Sequence, residues 1–211
     1  MAKSASDESN KFFDSAYQVR PPWDIGAPQP AMLALLDEFP PTGPVLDVGC
    51  GTGDLTLALA ERGLTVLGVD RAEAAIAQAR ARAATLVPNV ARLVEFRVGD
   101  ALHPAQFPGP FGAVVDSGFY HQFGAPERDR FAHDLAAALA PSGRYYLLGF
   151  AFDSRIPNAP RQVTESEVRA RFTPEHGWRI LALRPARFVI RSARGNDVPA
   201  VAACVERMTV G

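Results

Sequence analysis

The run Asp47-Val-Gly-Cys-Gly-Thr-Gly53 is where the sequence concentrates residues able to hold a ligand. Gly49, Gly51 and Gly53 alternate directly after the hydrophobic stretch PVLDVG and directly before a segment with helical spacing. Glycine there allows backbone angles closed to other residues, and a ligand can touch the main chain with no Cβ in the way. A dehydrogenase-type turn reads GxGxxG, its last glycine packing helix against strand. Here the spacing is GxGxG, and Asp54 takes the slot of that last glycine. An acid beside a helix N-terminus repels a pyrophosphate that wants the same positive dipole end. Asp47, just ahead of the glycines, disfavours phosphate further. The turn suits a ligand carrying positive charge, an ammonium or a sulfonium.

Two more acids end the next two hydrophobic stretches, Asp70 in VLGVD and Asp100 in VGDA. A carboxylate at Asp70 can accept from both hydroxyls of a ribose, and Asp100 can reach an adenine amino group. Each also has a plainer reading as a strand-end cap, and Asp47 can hold its own loop through backbone hydrogen bonds. Three strand-end acids in successive units are nonetheless an unusual coincidence. After the fourth hydrophobic stretch comes Asp116-Ser-Gly-Phe-Tyr-His-Gln-Phe123. His121 can serve as a general base, with Tyr120 second, or it can simply line the pocket. Phe119, Tyr120, His121 and Phe123 can sandwich a flat acceptor, although aromatic clusters also build cores. Asp116 is either an acid facing the ligand or a brace for its loop.

The totals narrow the field. The chain has 211 residues, 47% of them hydrophobic, with 22 Lys plus Arg against 23 Asp plus Glu. That suits one soluble domain and lacks the basic excess of a nucleic-acid binder. Cys50 and Cys204 are too few for a disulfide framework. They read as small apolar fillers, Cys50 within the ligand-facing turn. Four scattered histidines give no metal spacing, so no metal is expected. With no membrane-length apolar run and no secretory signal, a cytoplasmic protein is expected, with no membrane partner. Oligomeric state is not encoded in any pattern.

These residues need a frame. Strand-like and helix-like stretches alternate from Pro44 to Phe150, the pattern of βαβ units with a mainly parallel sheet. Right-handed crossovers put the strand C-terminal ends on one edge, where the glycine turn and the acids meet. Met1 to about Asn10 is expected to be disordered without ligand. An aromatic segment follows, with Phe12, Phe13, Tyr17 and Trp23, then a helix over AMLALLDEF. Residues 1–43 therefore read as an N-terminal lid and helix, 44–150 as the ligand-binding core and 151–211 as completion of the same domain. Beyond Phe150 come a proline-containing loop over 153–161, a short helix from the Thr164–Glu167 capping box, and a closing strand over Ala200 to Arg207.

DVGCGTGD, VLGVD, VGDA and VVDSG resemble the successive motifs of Rossmann-like S-adenosylmethionine-dependent methyltransferases. The resemblance implies an α/β three-layer sandwich, a mainly parallel seven-stranded sheet with an antiparallel last strand. It implies Asp47, Gly49, Gly51 and Gly53 around the methionine part, Asp70 on the ribose, and Asp100 with Ala101 around adenine, Arg71 packing on its plane. FFDSAYQVRPPWDIGAPQP together with VVDSGFYHQF is similar to bacterial small-molecule methyltransferases. Among these are the mycobacterial heterocyclic toxin methyltransferases and, more distantly, the thiopurine and halide/thiol methyltransferases. That implies methylation of N, O or S on a small, often aromatic acceptor, with Trp23, joined by Tyr17, folding over the cofactor. Two alternatives remain: a nicotinamide-dependent oxidoreductase, which would want a Tyr-x-x-x-Lys pair not evident here, and a non-catalytic S-adenosylmethionine-binding module.

Overall fold

The computed structural model describes residues 5–153, 160–191 and 197–209. Its strands are β1 (Val45–Val48), β2 (Val66–Asp70), β3 (Val94–Val98), β4 (Phe111–Ser117), β5 (Leu139–Phe150), β6 (Trp178–Val189) and β7 (Asp197–Arg207). They form a seven-stranded sheet in the order β3-β2-β1-β4-β5-β7-β6. The pairings from β3 through β5 are parallel, and β7 runs antiparallel to both β5 and β6. The expected mixed sheet with an antiparallel last strand is the one observed. Because β1 and β4 are neighbours while β2 and β3 lie on β1's other side, the chain reverses direction across the sheet at β1. In open α/β sheets that crevice, at the strand C-terminal ends, is where ligands bind.

Side chains alternate across the sheet with period two. Leu46, Val48, Val114, Tyr145 and Leu147 face one core, closed by Phe131 and Leu135 of α6 (Ala125–Ala138) and by Val168 of α7 (Glu165–Arg171). Val45, Val115, Tyr146, Leu148 and Cys204 face the other. That core is closed by Met32, Leu35 and Leu36 of α2 (Pro30–Glu38) and by Leu55 and Leu59 of α3 (Asp54–Glu61). The alternation puts Asp47 among the inward residues of β1, where it is buried.

One expectation needs correction. Residues 5–10, expected without structure, belong to helix α1 (Ala5–Gln18); Met1–Ser4 lie outside the described residues. The helix is anchored from its far end, where Phe13 and the buried Tyr17 pack on Ala72 and Ala75 beside α4 (Glu73–Ala83). Helix α6 stops at Ala138, because Leu139 already pairs with Phe111 as the start of β5. Between β3 and the α4 helix before it, a four-residue helix α5 (Pro88–Ala91) intervenes, opened by its proline. Part of the 153–161 loop, residues 154–159, lies outside the described residues. Thr164 caps α7 as expected, its hydroxyl accepting the Glu167 N–H at 3.1 Å, although the Glu167 carboxylate turns to Arg128 instead of back to the cap. No helix among the described residues is long and apolar enough to cross a membrane.

Candidate active site

The glycine turn is tied down at both ends. The N–H groups of Gly49 and Cys50 donate to the Val69 carbonyl at 2.8 and 3.0 Å. Gly51 takes φ +53° and Gly53 φ +85°, a left-handed region that costs other residues steric strain. A Cβ on Gly53 would stand 2.6 Å from the Phe96 ring, so this glycine performs the helix-on-sheet packing that a later glycine performs in GxGxxG. A Cβ on Gly51 would stand 2.7 Å from the Tyr17 hydroxyl. The turn is therefore covered by the N-terminal segment.

Asp70 spans the turn and the loop after its own strand. Its carboxylate accepts from Gly51 N–H at 3.0 Å and from Ala72 N–H at 2.9 Å. Burial raises its pKa against the lowering effect of those two bonds. Asp47 accepts from the Thr56 hydroxyl at 2.6 Å, and among the described residues it has no salt bridge. Burial pushes its carboxyl up to about 7 despite that bond, and the charges of Asp116 and Asp70 add to the rise. Asp100 is exposed at the sheet edge, accepting from Leu102 N–H at 3.0 Å and pairing with Arg71 at 3.3 Å. Ala101 is buried beside it.

Around the turn lies a cavity of about 80 Å³. Its walls bring together Tyr17, Trp23, Asp47, Gly49, Cys50 and Gly51 from the expected set. They add Asp24, Gln29, Thr52, Ser117 and Phe188, which the sequence did not single out. Among the described residues Asp24, Asp47 and Asp54 line it, and no Lys, Arg or His does. Asp54 is matched by Arg82 at 2.5 Å, which also donates to the Thr52 carbonyl and so clamps the turn from α4. Asp24 pairs with Arg20 at 3.4 Å. That leaves Asp47 as the carboxylate without an ion pair among the described residues, and such a group in low dielectric favours a cation beside it. A sulfonium or ammonium fits this lining, and a phosphate does not. A larger cleft of about 540 Å³ lies elsewhere, between α6, α7 and the start of β6, lined by residues such as His133, Arg171 and Trp178. It shares no lining residue with the cavity at the glycine turn.

The N-terminal segment is held over the cavity by polar contacts. Trp23 Nε1 donates to the Tyr17 hydroxyl at 3.2 Å, and Thr52 donates to Asp24 at 3.2 Å. The Gln29 amide both donates to the Val189 carbonyl (2.9 Å) and accepts the Val189 N–H (2.7 Å). Burial raises the Tyr17 phenol well above its ordinary range, with the Asp70 charge adding to it.

The loop after β4 divides its expected residues between two sides. Asp116 is saturated internally, accepting from Phe119 N–H (2.8 Å), Tyr120 N–H (3.0 Å) and the Tyr145 hydroxyl (2.8 Å). Burial lifts it to about 7 against those donors. Phe119 and Phe123 stack edge-on at 4.8 Å, and Phe119 leans on Phe131 of α6. Tyr120 is fully buried, its hydroxyl 3.2 Å from Glu167 and 2.7 Å from Arg171. His121 points the other way and stacks on Phe150 at 4.1 Å, near Phe188. A 3-10 turn of three residues, Tyr120–Gln122, produces this split. Three residues per turn send Tyr120 and His121 to different sides.

The fold and the site define a Rossmann-type domain with a carboxylate-lined pocket at its glycine turn. Residues 45–143 match the family described as a methyltransferase domain. The 2-heptyl-1-hydroxyquinolin-4(1H)-one methyltransferase of Mycobacteroides abscessus is 35% identical over 187 residues, 83% of this chain and 79% of that protein. A solved structure described as the conversion of a disulfide bond into a thioacetal group during echinomycin biosynthesis superposes with a TM-score of 0.78 at 30% identity, covering 95% of this chain and 92% of its own. The Burkholderia thailandensis 1,6-didemethyltoxoflavin-N1-methyltransferase, solved with its acceptor and S-adenosylhomocysteine, shares the fold with a TM-score of 0.73 at 20% identity, covering 99% and 93%. The chain belongs to the S-adenosylmethionine-dependent small-molecule methyltransferases.

Proposed function

We propose that the cavity over Gly49–Gly53 takes the methionine end of S-adenosylmethionine, with Asp47 facing its positive charge. Asp70 receives the ribose hydroxyls, its outward lone pairs being free of the two main-chain bonds it already accepts. Arg71, Asp100 and Ala101 frame the adenine. Cys50 and Gly53 shape the turn, and Asp116 braces the next loop from within. The observation that carries this reading is the buried Asp47, which among the described residues has no cationic partner and sits in a cavity lined by no basic side chain. The segment bearing Tyr17 and Trp23 covers this cavity and shields the bound cofactor from water.

When bound, S-adenosylmethionine supplies an activated methyl group on sulfur. What remains for the chain is alignment and exclusion of water, and orientation can supply roughly 7–11 kcal/mol of such a barrier. Trp23, Phe150 and Phe188 form the wall against which an acceptor ring lies flat, at the open end of the cavity. Tyr120, with its hydroxyl on Glu167 and Arg171, supports the loop from behind, while the Phe119 ring lies against Gly49 of the turn with Phe123 packed edge-on to it. The acceptor is a small aromatic or heterocyclic molecule methylated on N, O or S. The quinolone named for the M. abscessus relative supports that class. Calorimetry with S-adenosylhomocysteine, followed by a turnover screen on hydroxyquinolines, phenols and aryl thiols, tests the reading. Failure of the folded protein to bind S-adenosylhomocysteine overturns it.

A further inference from the structure

His121 stacks on Phe150 of the proposed acceptor wall, and its hydrogen bonding limits what it can do. Its Nδ1 accepts the main-chain N–H of Phe150 at 3.2 Å. A neutral imidazole carries one N–H and one lone-pair nitrogen. With the lone pair engaged at Nδ1, the hydrogen belongs on Nε2. The ring is held there by the Phe150 stack and by its own carbonyl, which accepts the Arg161 N–H at 2.6 Å. Its Cε1, between the two nitrogens, faces Gly118. A Cβ at that glycine would lie 3.4 Å from Cε1 and 3.3 Å from Phe188, which lines the cavity beside Ser117.

A base must accept a proton and then hold the cation. This ring has no free lone pair, and its surroundings resist the charge. Burial, with the Arg128 guanidinium adding to it, lowers its pKa to about 3. Around the ring stand Phe150 from β5, Phe188 from β6, Arg128 from α6 and the main chain of Arg161. Among these described neighbours the charged side chain named against it is a cation.

We propose, building on the methyl-transfer reading above, that His121 donates a hydrogen bond through Nε2–H to the acceptor and does not deprotonate it, so the enzyme selects flat acceptors that are already anionic: acidic ring hydroxyls, N-hydroxyls and thiols. The acceptor loses its proton to water before it enters. Its lone pair then forms the bond to the methyl carbon while the carbon–sulfur bond breaks, that electron pair remaining on sulfur. Opposite charges cancel, and His121 keeps its proton throughout.

The test uses the full chain and a series of ring-substituted 1-hydroxyquinolin-4(1H)-ones whose hydroxyl acidity differs. The pH at which kcat/KM levels off should move one for one with the acceptor's own pKa. A levelling pH common to the whole series belongs to an enzyme group and overturns the proposal. His121→Phe keeps the stack and removes the donor, and should lower kcat/KM about 10- to 100-fold, the scale of a hydrogen bond to a charged group. His121→Gln restores an amide N–H without a basic nitrogen and should recover most of that loss; a folded Gln variant as poor as Phe overturns the donor role. Nitrogen-15 spectra of histidine-labelled protein should show the Nε2–H form at neutral pH, and an Nδ1–H form overturns it even if no acceptor turns over. Binding of S-adenosylhomocysteine, measured alongside, reports separately on the methyl-transfer reading.

Discussion

The two ends of the site are built differently. The cofactor end is polar and contiguous: one turn, Asp47 to Gly53, with Asp70 from the adjacent strand closing it by main-chain hydrogen bonds. The proposed acceptor end is aromatic and dispersed, with Trp23, His121, Phe150 and Phe188 arriving from four separate parts of the chain. Recognition of an unvarying ligand fits a rigid hydrogen-bonded turn. Recognition of a variable one fits side chains at strand ends, where each can change without disturbing the sheet.

If that division holds, variants should separate by ligand. Asp70→Ala should give the largest effect, about 100-fold or more weaker S-adenosylhomocysteine binding by calorimetry, since it removes charge-assisted bonds worth about 1.5–3 kcal/mol each. Phe188→Ala should raise the acceptor KM about tenfold while leaving cofactor affinity within about twofold, roughly the contribution of one aromatic contact. An equal loss in both ligands would erase the distinction between the two ends.

Asp47 sharpens it through pH. Its folded pKa of about 7 lies above the ordinary value of 3.8. The folded state therefore holds the proton more tightly, and the stability linked to this carboxyl is present below about pH 4 and lost as pH rises through about 7. A cationic ligand needs the carboxylate. S-adenosylhomocysteine, through its ammonium, should bind more tightly as pH rises towards 7, by at most about tenfold per unit, and level off above it. Calorimetry in buffers of differing ionisation enthalpy should register proton release, and Asp47→Asn should abolish both signals. The smallest effect belongs behind the site. Tyr120→Phe deletes a hydroxyl held by Glu167 and Arg171 and should cost about 1 kcal/mol in denaturant melts, with kcat/KM unchanged.

The same division explains what could be read from sequence. The alternation of strands and helices, the glycine turn and the strand-end acids were legible because each depends on neighbours within a few residues or on local periodicity. Ser117 and the Phe119–Phe123 cluster were legible as belonging to one loop, but not by side. Which way Tyr120 and His121 point is decided by a single 3-10 turn and by the Asp116 carboxylate that gathers its N–H groups. Phe150 and Phe188 carried no local signal, for they look like any apolar residue near a strand end. They meet only because β7 lies between β5 and β6 and brings both strands' C-terminal ends to one corner. Arg82 hid among the arginines of α4, and only its reach to Asp54 and Thr52 distinguishes it.

The paired amide of Gln29 has a kinetic corollary. It grips both polar groups of Val189, the residue next to Phe188. Slack in the N-terminal cover is therefore slack in the acceptor wall, and a nucleoside that settles the cover also sets the wall. Binding in compulsory order follows, nucleoside first and methylated product leaving before the spent nucleoside, and product-inhibition patterns would display it. Gln29→Ala, by cutting that tether, should turn the compulsory order into a random one.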